Sequence, residues 1–220
     1  MLTLFKQNKA VFFIYTVFFL VCIYFITSYS KEEIHICLNR LNHPVADIFF
    51  KYITYLGDGF FLITIAVILL FIRLRYFMFI FLPYILSGAI VQILKRFIFS
   101  NILRPVAYFK GTYGLHLVEG VTPLMSYSFP SGHSATAFGL FVMLAFLTPK
   151  KPVKILCILA AILVGYSRIY LSQHFLIDVL IGSIIGLSSA VFIYLVYNKI
   201  NNNWIVKPVQ QLIFKRDGQK

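Results

Sequence analysis

Residues 167–178 read Ser-Arg-Ile-Tyr-Leu-Ser-Gln-His-Phe-Leu-Ile-Asp and set Arg168, His174 and Asp178 into sequence that is otherwise almost continuously apolar. Ionisable groups in such surroundings are costly and are usually kept for a purpose. His174 and Asp178 are four apart, so on a helix they share one face. The carboxylate can then hold one imidazole nitrogen while the other faces outward. That is the wiring of a nucleophile; the plainer reading is an ion pair satisfied in a polar seam between helices. The surrounding sequence decides the fold class. The 220 residues are 60% hydrophobic and 12% charged, with a mean hydropathy of +0.86, whereas a soluble domain is usually about 45–50% apolar. The chain reads as an all-α polytopic membrane protein.

Working outward, six transmembrane helices are expected: about Ala10–Tyr29, Phe60–Ile72 (beginning earlier, near Ile53), Tyr76–Leu94, Ser134–Leu147, Ile155–Tyr166 and Phe175–Tyr197. The first is long enough to cross roughly 30 Å of hydrocarbon, and no small-x-small cleavage pattern follows it. Between the first two spans, Lys31–Gly57 carries Ile34, Leu38, Leu41, Val45, Ile48 and Tyr52 at helical intervals. This predicts an interfacial helical segment broken before Pro44, with a turn at Gly57-Asp58-Gly59. His35 and His43 are expected on its polar side, without a catalytic part. Phe97–Phe129 has no spanning pattern; it is expected to fold onto the bilayer surface with a short hairpin near Glu119-Gly120 and a structural His116. Gly182, Ser183 and Gly186 form a stripe suited to close helix contact. A six-span domain over residues 1–200 and a basic cytoplasmic tail over 201–220 complete the division.

The net charge of +13 is distributed along the chain as membrane topology requires, so no nucleic-acid partner is expected. Alternating the spans gathers Lys6, Lys9, Arg73, Arg75, Lys150, Lys151, Lys154, Lys199 and the basic tail on one side, twelve cations against the single acid Asp217. The other side holds eight cations and six acids. The positive-inside rule then places both termini in the cytoplasm and the 95–178 motifs outside, as in an integral protein of a bacterial inner membrane. Cys22, Cys37 and Cys157 offer no disulfide framework and no metal spacing.

Two more stretches lie on that outer side. In Pro130-Ser131-Gly132-His133, Ser131 can cap a helix whose first N–H groups then suit an oxyanion, with the His133 proton in reach. An ordinary capped helix start is the plainer reading. Lys95, Arg96 and Arg104-Pro105 follow the third span; alone they read as headgroup anchors, but with Arg168 and two histidines they read as an anion clamp.

Together these residues resemble the type 2 phosphatidic acid phosphatases, a family related in fold to the vanadium haloperoxidases. Its motifs are Lys-x6-Arg-Pro, Pro-Ser-Gly-His and Ser-Arg-x5-His-x3-Asp. The second is complete at 130–133 and the third at Ser167, Arg168, His174 and Asp178. The first departs: eight residues separate Lys95 from Arg104 and seven separate Arg96 from Arg104. Lys95 is taken as the match, with Arg96 as the alternative. The resemblance implies phosphomonoester or diphosphate hydrolysis through a phosphohistidine. His174 would be the nucleophile, Asp178 its orienting partner and His133 the acid and base. Lys95, Arg104, Arg168, Ser131 and Gly132 would hold the phosphate. No metal or other cofactor is expected, since three cations answer the phosphate charge and no carboxylate cluster offers itself to Mg2+.

The apolar setting implies a membrane lipid phosphate as substrate, with phosphatidic acid, phosphatidylglycerol phosphate, a polyprenyl diphosphate or a lipid A phosphate all open. The other class of function is a non-catalytic lipid-phosphate binding or scaffold protein of the same fold. A transporter would call for inverted halves, which are not visible.

Overall fold

A computed structural model describes residues 2–110 and 112–199, and the expected cytoplasmic tail lies outside them. Among the described residues the regular structure is entirely helical. A short α1 (Leu2–Gln7) leads into α2 (Lys9–Ser28), where Phe13, Val17, Leu20 and Tyr24 remain exposed on the outside of the bundle. The interfacial segment forms as α3 (Lys31–Asn39) and α4 (Pro44–Ile53). Ser30 and Glu33 close a reciprocal capping box on α3, and Pro44 takes the first turn of α4. A 3-10 turn over Thr54–Gly57 and the cap Asp58 lead into α5 (Gly59–Ile72), bent 54° from the preceding helical segment.

After α6 (Leu74–Ile93) come a π-helical turn at Leu94–Ile98 and the single turn α7 (Pro105–Tyr108). The bundle closes with α8 (Gly132–Leu147), α9 (Lys151–Tyr170) and α10 (Leu176–Lys199). Each expected span is thus a helix. Four are long and apolar enough to cross a membrane alone, and the bent α4–α5 pair makes a fifth. With 16 residues, α8 is shorter, about 24 Å at the usual rise. It is the central rod, burying Phe138, Leu140, Val142, Met143 and Phe146 between α6, α9 and α10. Its neighbours shield it from lipid along most of its length, which relaxes the demand that it span unaided.

One end of the bundle brings together the start of α2, the start of α9 and the last turn of α10. The Lys154 ammonium, on α9, donates to the Gln7 carbonyl at 3.0 Å and to Asn8 Oδ1 at 2.5 Å, while Tyr197 packs edge-on to Phe79, whose ring also carries the Arg75 guanidinium. The motif residues lie at the opposite end. The expected hairpin does not form: residues 118–121 make a turn, Val121 N–H to Val118 O, with Gly120 at φ +75° and Lys51 Nζ donating to the Glu119 carbonyl at 2.8 Å. With cross-strand partners missing, the segment is held by side chains from α4 instead.

The small-residue stripe performs as its composition suggests. A Cβ at Gly186 would overlap the Ala135 carbonyl, and one at Gly182 would overlap the Ser131 carbonyl and come within 3.0 Å of Ser134 Cβ. Because α8 and α10 meet backbone to backbone there, the Ser131 N–H can reach the Asp178 carbonyl at 2.9 Å. Gly182→Ala is therefore expected to force the two helices apart, costing about 1–3 kcal/mol as overpacking usually does. The loss should appear as a lower melting temperature of the detergent-purified protein, and an unchanged one would show that this contact can yield.

Candidate active site

The last turn of α9 delivers Arg168, after which the chain must reverse to start α10. It does so through Ser172 in the left-handed region (φ +52°), and the Arg168 carbonyl accepts the N–H of both Gln173 (2.9 Å) and His174 (3.1 Å). His174 therefore stands before α10 rather than on it, and a turn, not a helix face, brings it to Asp178. Nδ1 of His174 lies 3.3 Å from Asp178 Oδ2, with both side chains about 2% exposed. The same carboxylate oxygen accepts the Ser128 hydroxyl at 2.5 Å and the Phe175 N–H at 3.0 Å. Burial first, and then the charges of Arg104, Arg168 and Lys95, hold the His174 pKa well below the usual histidine range. The ring is thus neutral. With the Nδ1 proton directed at the carboxylate, the lone pair sits on Nε2, 3.4 Å from Arg104 Nη1.

Arg104 reaches that position although its motif is two residues longer than the family's. The π turn, closed by Phe99 N–H to Leu94 O at 2.8 Å, takes up extra length after Lys95. The chain then runs extended beside residues 125–128, with Arg104 N–H to Met125 O at 2.9 Å and Ser128 N–H to Ile102 O at 3.0 Å. The Arg104 guanidinium is held by Ser126 O (2.8 Å), Gln173 O (3.2 Å), Gln173 Oε1 (3.3 Å) and Tyr127 O (3.5 Å). Lys95 is half-buried and its charge acts on His174, whereas Arg96 is exposed.

Ser131 caps α8, its hydroxyl oxygen accepting the Ser134 N–H at 3.3 Å and the Ser134 hydroxyl at 2.9 Å. Accepting both bonds leaves the Ser131 O–H proton free to donate, so the hydroxyl and the Gly132 N–H at the helix start can both serve an anion. His133 follows, half-buried, within electrostatic reach of Arg168, His174, Lys95 and Arg104. Arg168 donates to Thr54 Oγ1 at 2.6 Å, and its buried Nε–H has no acceptor among the described residues, a donor ready for an oxyanion.

Three partners were not foreseen from sequence. Ser128 and Gln173 touch the proposed nucleophile's carboxylate and cation directly, but no motif spacing flags either. His35 is the third and is a correction: it does not lie on the polar side of its helix but is 1% exposed, stacked near Phe109 and edge-on to Phe175. Its Nε2 lies 3.2 Å from the Ser172 hydroxyl, which Asn39 Nδ2 also holds at 3.2 Å. Burial pushes its pKa down to about 4. The four-residue spacing from His35 to Asn39 was the only available signal. His116 is structural as expected, paired with Asp47 at 2.9 Å.

Residues 76–202, more than half of the chain, match the PAP2 superfamily, and the chain belongs to that family. It is 42% identical over 71 residues to phosphatidylglycerophosphatase B of Bacillus subtilis, covering 28% of this chain and 35% of that protein. The chain thus spans about a third of the length of the curated relatives it matches. Among solved structures, LpxE of Aquifex aeolicus is similar with a TM-score of 0.65 at 32% identity, over 73% of this chain and 92% of that one. The transmembrane PAP2-type phosphatidylglycerolphosphate phosphatase of Bacillus subtilis is similar with a TM-score of 0.63 at 26% identity, over 90% and 99%.

Ser128→Ala leaves the buried Asp178 carboxylate without its shortest hydrogen bond. The expected cost is about 1.5–3 kcal/mol, the range for hydrogen bonds to charged groups. It should be read as a lowered melting temperature, and a stability equal to that of the unaltered protein would mean that the Phe175 N–H and His174 suffice.

Proposed function

We propose that the chain is a metal-independent lipid phosphate phosphatase working through a phosphohistidine on the outer face of the membrane. The observation that carries this is the buried His174, held by Asp178 on one nitrogen and facing the Arg104 guanidinium with the other. In this reading Nε2 attacks phosphorus, the bond from phosphorus to the lipid oxygen breaks, and His133, able to hold a proton once the phosphate has brought negative charge into the cluster, gives that proton to the leaving oxygen. Water then attacks the phosphohistidine and passes a proton to His133; the P–N bond breaks and inorganic phosphate leaves. Asp178 stabilises the positive charge the imidazole gains. Lys95, Arg104, Arg168 and the first N–H groups of α8 spread over the equatorial oxygens, where the charge of the transition state accumulates.

In this reading Lys95, Arg104 and Arg168 neutralise the phosphate charge; among the described residues no group of three His, Cys, Asp or Glu side chains gathers to hold a metal. A cavity of about 300 Å³ between α5, α6 and α8, lined by Tyr84, Gly88, Gln92, Gly132 and His133, adjoins the phosphate site and offers room beside it for part of a lipid. The relatives named for phosphatidylglycerophosphate make that lipid the first substrate to try. The excess of basic residues in the sequence segments expected on the side away from the motifs supports an outward-facing site.

Phosphate release from phosphatidylglycerol phosphate, phosphatidic acid, a polyprenyl diphosphate and lipid A, measured in detergent with EDTA, tests the proposal. Release from at least one is expected, His174→Ala should abolish it, and His133→Ala should slow it about 10²- to 10⁴-fold. Release from none would leave only the binding or scaffold function. Assayed on whichever lipid is turned over, Lys95→Ala should cost at least tenfold while Arg96→Ala stays close to the unaltered enzyme. The reverse ranking would exchange their roles.

A further inference from the structure

Arg104 makes no ion pair among the described residues, although Asp178 is near enough for its charge to act on the guanidinium. What holds it are neutral oxygens: three backbone carbonyls and one side chain, Gln173 Oε1. Gln173 is 2% exposed and satisfied at both ends of its amide. Oε1 accepts from Arg104 Nη1 at 3.3 Å while Nε2 donates to the Thr122 carbonyl at 3.2 Å. The amide cannot be turned over, because that would set an N–H₂ against the guanidinium and an oxygen against a carbonyl. Its backbone adds two bonds: the N–H binds the Arg168 carbonyl at 2.9 Å, and its own carbonyl accepts from Arg104 Nη1 at 3.2 Å. One residue therefore links the turn beside His174, the loop above it, the Arg104 guanidinium and the Arg168 backbone.

Resting on the phosphate-site reading above, we infer that Gln173 is a positioning residue that fixes Arg104 beside His174 while leaving its charge free for the phosphate. A carbonyl-type oxygen orients a guanidinium without neutralising it. A carboxylate at the same distance would orient it too, but would compete with the phosphate for the same N–H groups and repel its charge. The amide thus answers a specific need: Arg104 comes from a loop, not a helix, and without a fixed partner its long side chain would lose conformational freedom at the moment of binding.

The test uses the full-length protein in detergent and orthovanadate, which adopts the five-coordinate geometry of phosphoryl transfer. Its dissociation constant, from protection against thermal unfolding, does not depend on the fraction of molecules that is active, so a merely structural defect leaves it unchanged. Gln173→Met, which keeps the volume and removes the amide, is expected to weaken vanadate about tenfold. Gln173→Glu, which keeps the shape and adds charge, should weaken it about a hundredfold. Gln173→Asn, too short to reach Arg104, should behave like Met and serves if Met does not fold. Affinities within twofold of the unaltered protein in the folded variants, or a Glu variant binding as well as Gln, would overturn the inference. Unaltered protein that binds vanadate yet releases phosphate from no lipid would remove the proposed activity and leave the positioning intact. Unaltered protein that binds no vanadate would remove the positioning.

Discussion

The carboxylate of Asp178 is the point through which the site is assembled. A buried carboxylate is tolerable only when its lone pairs are answered, and here the Ser128 hydroxyl, the Phe175 N–H and the His174 ring answer them. The donors come from two separate stretches of chain: Ser128 from the end of the long loop, and His174 and Phe175 from the turn after α9. The main chain of the same residue accepts the Ser131 N–H, which ties the start of α8 to the start of α10. Glycine at 182, one turn further along α10, makes that approach sterically feasible. Remove the close contact and the second and third motifs separate.

Around this single anion stand more cations than it can neutralise. Lys95, Arg104 and Arg168 all act electrostatically on His174, and Arg168 retains a buried N–H with no acceptor among the described residues. Such a surplus would be unfavourable in a merely structural cluster, because like charges in a dry site repel and each has lost hydration. It suits a pocket whose remaining negative charge arrives with the ligand. Burial first, and then the same positive field, works against a charged His174 ring.

The end that holds the motifs is braced by elements that carry none. Asn39 exchanges hydrogen bonds with the His116 backbone and also grips Ser172, while Asp47 joins His116 to the Tyr170 hydroxyl. The Tyr108 hydroxyl donates to Glu32, and Lys31 lies over the Tyr108 ring. The helices α3 and α4 thus serve as a brace between the long loop and the turn that carries His174. Ser172 needs such support: a non-glycine residue in the left-handed region costs roughly 1–2 kcal/mol, and its hydroxyl gives α3 something to hold.

Much of this was legible in the residues themselves. Continuous apolar stretches require helices in a bilayer, because every backbone polar group must be satisfied within its own segment. Basic residues between those stretches sort the two ends, and the Pro-Ser-Gly-His and Ser-Arg-x5-His-x3-Asp spacings are local enough to survive as patterns. What the residues alone left open were the contacts made across the bundle. Ser128 meets Asp178 from 50 positions away and His35 meets Ser172 from 137, and whether Lys95 or Arg96 comes within reach of His174 depends on a π turn that hydrophobic periodicity does not encode. Those pairings are properties of how α3, α8, α9 and α10 pack, so the helices and their charged ends were set by the sequence and the partners of His174 and Asp178 only by the tertiary structure.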